Sequence, residues 1–382
     1  MDKKLERRSF LGRLSLGLGA MLALPFSTAS GRTKNSEIER EEENMNPIIT
    51  VKALGFQWET ADPFLFCVHH EDEFPKGNEQ MGPETDFLKG RHLGDDFIIK
   101  NGFRMYHGKV VPGFPGHPHR GFETITVVRK GLVDHADSMG AAGRYGDGDV
   151  QWMTAGEGVQ HSEMFPLIKK EEDNPMELFQ IWLNLPKKNK MAAPHFTMLW
   201  REDIPLHNYS DAAGKKTLVE IIAGAISDKK PLAPPPNSWA SDTNNAVAVW
   251  NIKMEAGASW TLPKTLPGIN RIIYFYQGNV LNVAGNDIQH YHLIQLKSDV
   301  DVVLQNGDKE CGILMLQGRP INEQVMQYGP FVMNTKEEIK QAFDDYHATQ
   351  FGGWPWPRYD QVHARDKGRF ARHADGKEEN KV

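Results

Sequence analysis

GHPHRGFETITVVRKGLVDH, residues 116–135, places two histidines one residue apart, followed by an apolar run, a glycine and a second apolar run. In an extended chain alternate side chains face the same way, so His117 and His119 project from one face of a strand and Pro118 from the other. Pro118 supplies no backbone donor, which suits a strand entry or a sheet edge. Residues 126–133 then read as strand, glycine turn at Gly131, and strand. The same grammar returns at residues 273–280 around Gly278, which points to two copies of one β-domain.

Outward from this stretch the chain keeps the same character. GDVQWMTAGEG, MELFQIWLNLP, LVEIIAGAI, AVAVWNIKM and DVVLQN are short apolar alternations separated by glycine, proline and aspartate. Such closely spaced strands predict an all-β sandwich or barrel rather than parallel β-α units. PLAPPPNSW, residues 231–239, reads as a loop inside the second half. One helix is expected late: Asn334 and Thr335 precede KEEIKQAFDDYHATQF, with Glu337 or Glu338 in the first turn and Ile339, Ala342, Phe343 and Tyr346 on one face. The polar segment from Arg358 onward reads as a tail, mobile or laid on the surface. His69, His70, Glu71, Asp72 and Glu73 open an acidic stretch, 69–87, that reads as a solvated loop at the pocket entrance rather than a metal site.

Composition narrows the function class. The 382 residues suit two domains, 40% hydrophobic and 25% charged is ordinary for a globular chain, and the formal net charge is −6. No basic block large enough for a nucleic-acid face lies outside the N-terminus. Cys67 and Cys311 sit in apolar stretches and are expected as buried thiols rather than a bridge. Residues 1–30 combine a basic start, a short apolar run from Leu14 to Phe26 and small residues at 27–31, the grammar of an export signal. Arg7 and Arg8, followed by Ser9, Phe10 and Leu11, resemble the twin-arginine signal, with Glu6 and Gly12 departing from its usual flanks. A periplasmic protein exported by that route is expected, with no stable membrane insertion once the signal is removed. Residues 31–46, charged and without apolar period, read as a linker.

The chemistry comes from a second pair. In GVQHSEM, His161 and Glu163 again alternate onto one face, two or three strands downstream of His117 and His119. A small barrel that aims both pairs inward assembles three imidazoles and one carboxylate, with positions left for other ligands. That mixed nitrogen and oxygen set suits Fe(II), Mn, Ni, Co, Cu or Zn, and the logic of non-haem oxygenases favours iron. His135 is expected to hydrogen-bond rather than ligate. His290-Tyr291-His292 repeats the spacing, but it follows the Gly278 turn whereas the first pair precedes Gly131. The true counterpart, residues 258–262, carries no ligand, so the second domain is expected to be metal-free.

GFPGHPHRGFETITVV, followed by DSMGAAGRYGDGDVQWMTAGEGVQHSEMF, resembles the pirin family of the cupin superfamily, and FQIWLNLPKKNKM, LQGRPINEQVMQYGPFVMNTKEEIKQAF and FGGWPWP extend the likeness over nearly all of the mature chain. The resemblance implies two tandem cupin jelly-roll β-barrels, the N-terminal one metal-binding at 47–205, the C-terminal one at 206–333, and a helix and tail at 334–382. It puts the metal ligands at His117, His119, His161 and Glu163. Glu123, where many other cupins place a ligand, is then structural. Some pirin-like proteins resemble quercetin 2,3-dioxygenases, so an O2-dependent attack on quercetin-like flavonols or related small aromatic substrates is the expected activity, with Glu163 also as base. Trp152, Met153 and Phe122 are expected to pack the barrel. The competing expectation is a non-enzymatic metal-binding or redox-sensing protein that acts through protein contacts. Either way a monomer is expected, and the charge pattern leaves no expectation of a nucleic-acid partner.

Overall fold

The computed structural model describes residues 46–381; the export signal and nearly all of the linker lie outside the described residues. Two β-sandwiches follow one another. In the first, Phe122–Lys130 is the third strand of a six-stranded sheet ordered His195–Leu199, Val150–Thr154, Phe122–Lys130, Asn174–Asn184, Phe64–Phe74, Gln57–Trp58. A second six-stranded sheet runs Glu378–Lys381, Arg369–Arg372, Ala142–Gly146, Leu132–Asp137, Val159–Met164, Gly113–His119. Between them Val128, Val133, Tyr145, Met153 and Leu178 form an apolar core, and the two histidine-bearing strands are neighbours at one edge of the second sheet. Gly131 takes φ +79 at the predicted turn and Gly278 takes φ +123 at its repeat, a left-handed backbone that a Cβ would strain.

The second sandwich repeats the plan. Asn270–Gln277 stands for Phe122–Lys130, Ser259–Leu262 for Gly113–His119, and Val302–Asn306 for Val159–Met164. The all-β architecture expected from the alternation, and the two tandem cupin jelly-rolls that the resemblance implies, are therefore present. They pack through the sheet that carries Phe122–Lys130 and the second unit's seven-stranded sheet, where Trp58, Ile125, Phe179 and Ile181 meet Tyr274, Tyr276, Leu293 and Leu314. Burial of so many large apolar groups, each about 1.5–3 kcal/mol, is what holds the two units together. Ile48–Ala53, counted by position with the first unit, instead pairs with His292–Leu296 at the edge of the second unit's seven-stranded sheet.

The late helix spans Lys336–Thr349, with Thr335 as N-cap and Glu338 completing a capping box. It turns the chain back onto the first unit: Asp345 pairs with Arg120 at 2.7 Å, and Phe351 lies against Gly158. The polar tail is laid on the surface as a hairpin, Arg369–Arg372 and Glu378–Lys381, hydrogen-bonded to Ala142–Gly146.

One expectation is corrected. Residues 69–73 are not a solvated loop but part of the strand Phe64–Phe74, with His69 opposite Phe179 and His70 opposite Leu178. His69, His70 and Asp72 are buried. Asp72 is satisfied by distant residues: it accepts from the Arg104 backbone and guanidinium at 2.8 and 3.0 Å and from the Tyr106 hydroxyl. The His69 ring stacks on Phe179 at 4.6 Å. Charged partners 32 or more residues away leave no local trace in the sequence.

Candidate metal centre

Gly113–His119 and Val159–Met164 are antiparallel neighbours, with His117 directly across from His161 and Phe114 across from Glu163. Cross-strand partners on one face lie within side-chain reach, so the two sequence pairs become one cluster. A register shift between Phe114 and His117 re-aims the strand just before the first histidine. Among the described residues, donor atoms of His117, His119 and His161 all lie within 4.8 Å of one another.

His119 and His161 are buried, and His117 is the one of the three that is only half-buried as a residue. The His117 Nδ1 faces the Pro115 carbonyl at 3.0 Å, which fixes Nδ1 as the donor and leaves the Nε2 lone pair for another partner. Both ring nitrogens of His161 and Nδ1 of His119 are buried without a hydrogen-bond partner. A buried unpaired polar atom costs about 1–3 kcal/mol, so this is an expensive arrangement for a pocket with nothing to bind. Burial drives the imidazoles towards the neutral form: His117 is pushed down to about 4, and His119 and His161 lie well below the ordinary range, neighbouring histidines adding to the effect. Neutral imidazole is the form that ligates a metal.

Glu163 stands beside this cluster, its Oε2 at 3.8 Å from the His161 Nε2. It falls outside the mutual 4.8 Å group of the three histidines. Thr126 donates to its Oε1 at 2.9 Å and the Gln180 amide to its Oε2 at 3.2 Å. Burial raises its proton affinity, opposed by these bonds and by the nearby His135. The residues thus offer three nitrogen donors and an adjacent carboxylate in the interior of the first unit, a donor set that fits a divalent transition metal.

The other candidates separate cleanly. His135, opposite Glu163 in the sheet, bonds Asp137 at 3.2 Å. Glu123 accepts from Thr154 at 2.6 Å, from Trp152 at 3.2 Å and from Ser238 of the second unit at 2.6 Å, so it fastens the two sandwiches together. Trp152 and Met153 are buried core residues, and Phe122 packs between Trp182 at 4.2 Å and His119 at 5.0 Å. His290 and His292 sit at a turn; His292 faces the carbonyls of Gln289 and His290 at 3.1 Å. Thr126, Gln180 and Trp182, which hold Glu163 and cover His119, carried no motif, because each comes from a strand whose neighbour is set by topology. Alternation along those strands was the available signal.

Comparison with known proteins agrees with this geometry. Residues 50–183 match the Pirin family model and residues 249–352 the Pirin C-terminal cupin domain. A Vibrio cholerae protein named "Putative quercetin 2,3-dioxygenase" is 36% identical over 241 residues, 63% of this chain and 80% of that protein. The chain belongs to the pirin family. Human pirin is 34% identical over 266 residues, 68% of this chain and 83% of its own length. Among solved structures, a quercetin 2,3-dioxygenase from Acinetobacter baumannii superposes on this pirin with a TM-score of 0.62 at 26% identity, covering 80% of this chain and 98% of that one.

Proposed function

We propose that this pirin is a metal-dependent dioxygenase that uses O2 to open quercetin-like flavonols or related small aromatic substrates. The observation that carries the reading is the buried His161, whose two ring nitrogens lack a hydrogen-bond partner inside a three-histidine cluster. Relatives named for quercetin 2,3-dioxygenase, one of them a solved structure of the same fold, support the substrate class. His117, His119, His161 and Glu163 would hold the metal, Fe(II) in preference to Mn, Ni, Co, Cu or Zn. Once bound, the metal supplies open positions and redox capacity for O2 and a chelating substrate.

The protein's own contribution is positional. The Pro115 carbonyl orients His117, and Thr126 and Gln180 orient the Glu163 carboxylate. Glu163 takes the substrate hydroxyl proton at a carboxylate oxygen, a general-base role that its adjacency to the histidines allows. Phe122 and Trp182, packed on His119, keep water from the inner side. The partly exposed His117 marks the side from which substrate enters, with the Phe114 ring 6.3 Å from it. The chain works in the periplasm, delivered by the twin-arginine route, which carries folded proteins. Replacing Arg7 and Arg8 with lysine and fractionating cells tests that address; unchanged export would refute it.

The activity is tested by incubating the Fe-, Mn-, Ni-, Co- or Cu-loaded protein with quercetin, with and without O2, while following quercetin absorbance and O2 uptake. O2-dependent loss of quercetin is expected. No loss with any metal favours the metal-binding protein that acts through protein contacts.

A further inference from the structure

Residues 353–381 lie beyond the stretches that match the pirin family models, yet they return to the outside of the candidate metal centre. They touch all three neighbouring strands of that wall. On the first, the Gly116 backbone N–H donates to the Tyr359 carbonyl at 2.8 Å, next to His117. Trp354 and Tyr359 stack at 5.4 Å with planes 6° apart and lie against Gly116, where a Cβ would meet the Tyr359 ring at 2.5 Å and the Trp354 ring at 3.4 Å. On the second strand, the Gln160 amide donates to the Gly353 carbonyl at 3.2 Å, next to His161. On the third, the Trp356 indole donates to the Asp137 carbonyl at 2.7 Å, and the His363 ring contacts the His135 carbonyl at 2.9 Å. Asp137 and His135 are the cross-strand partners of His161 and Glu163.

We propose that residues 353–363 are a positioning strap, and that the Trp354–Tyr359 pair seated on Gly116 sets how tightly the histidine cluster holds a divalent transition metal. The argument is alternation. Gly116 and Gln160 face outward because His117 and His161 face inward. Fastening the outward groups fixes the spacing of the inward imidazoles, and the strap does so on three adjacent strands. Its far end is itself anchored: Arg144, paired with Asp134 at 2.7 Å, donates to the carbonyls of His363, Ala364 and Lys367. Groups that orient metal ligands from behind commonly change affinity by about 10–100-fold.

This inference rests on the metal reading of the site, and the experiment keeps the two apart. Ni(II) affinity would be measured by chelator competition on the full-length protein, on Trp354→Ala/Tyr359→Ala, on Gly116→Ala and on Tyr359→Phe, with Co(II) absorption reporting ligand geometry. The double variant and Gly116→Ala should bind about tenfold or more weakly with an altered Co(II) band, still one ion per chain as in the full-length protein, whereas Tyr359→Phe, which keeps the ring stack, should match the full-length protein. Folded double and Gly116→Ala variants with Ni(II) affinity within about twofold of the original and an unchanged Co(II) band would overturn the strap, even if their melting temperatures fall. A full-length protein that takes up no Ni(II) or Co(II) sinks the metal reading itself.

Discussion

The two sandwiches are built on one plan and filled with opposite chemistry. Where the first sets His117 across from His161, the matching strand pair of the second sets Trp260 across from Leu304. Around Trp260 the interior is closed by Ile221, Trp250, Ile252, Phe275 and Met315. The second barrel spends its interior on apolar contact. The first keeps Thr126, Gln180, Glu163 and three neutral imidazoles there, some of them without partners. A fold whose stability comes from one copy leaves the other copy free to carry costly polar groups. The packed sheets between them make the first depend on the second.

That contrast breaks most sharply at His161. His161→Ala should abolish metal uptake by the first barrel, read as metal per chain by elemental analysis, while the metal-free protein melts no lower than the parent; full retention of metal would refute the ligand assignment. Trp260→Ala should do the reverse. It should cost about 3–5 kcal/mol in urea unfolding through the cavity it leaves, with metal content unchanged. A loss of metal in the folded Trp260 variant would show that the second barrel is not merely a packed support.

The seam between the barrels gives a pH test. Burial raises the Glu123 carboxyl to about 7 in the folded chain. Between the ordinary carboxyl value and 7 the folded state keeps a proton that the unfolded state has lost. Stability from this group is therefore fully present at low pH and is lost as pH rises through 7. The stability of the parent relative to Glu123→Gln should fall by on the order of 3 kcal/mol between pH 4.5 and 8 in urea titrations. A difference that does not vary with pH counts against it. The smallest effect is expected at the helix that turns the second half back onto the first. Thr335→Ala should cost about 1 kcal/mol by loss of the cap, seen in thermal unfolding.

The site was legible because its chemistry follows strand alternation. His117 and His119, then His161 and Glu163, declare their facing within three residues each, and Gly131 marks the turn between the strands. Thr335 and Glu338 likewise declared their helix through a local cap. What escaped was satisfied at long range. Asp72 looked like surface because Arg104 and Tyr106, which hold it, lie on another segment. The tail read as either mobile or surface-laid, and the choice escaped because Arg144, whose guanidinium binds its carbonyls, looks like any charged strand residue. Nothing near Ile48 announces that its strand belongs beside His292–Leu296.

That crossing strand has a consequence in time. As the chain emerges during synthesis, residues 48–53 appear before either barrel and their partners only after the whole first barrel and more than half of the second. The outer edge of the second barrel's sheet must stay open until His292–Leu296 is made, so the earliest segment is among the last to be fastened. Until that pairing is made, the second barrel carries an open sheet edge beside His292–Leu296, and the chain is recognisably unfinished there.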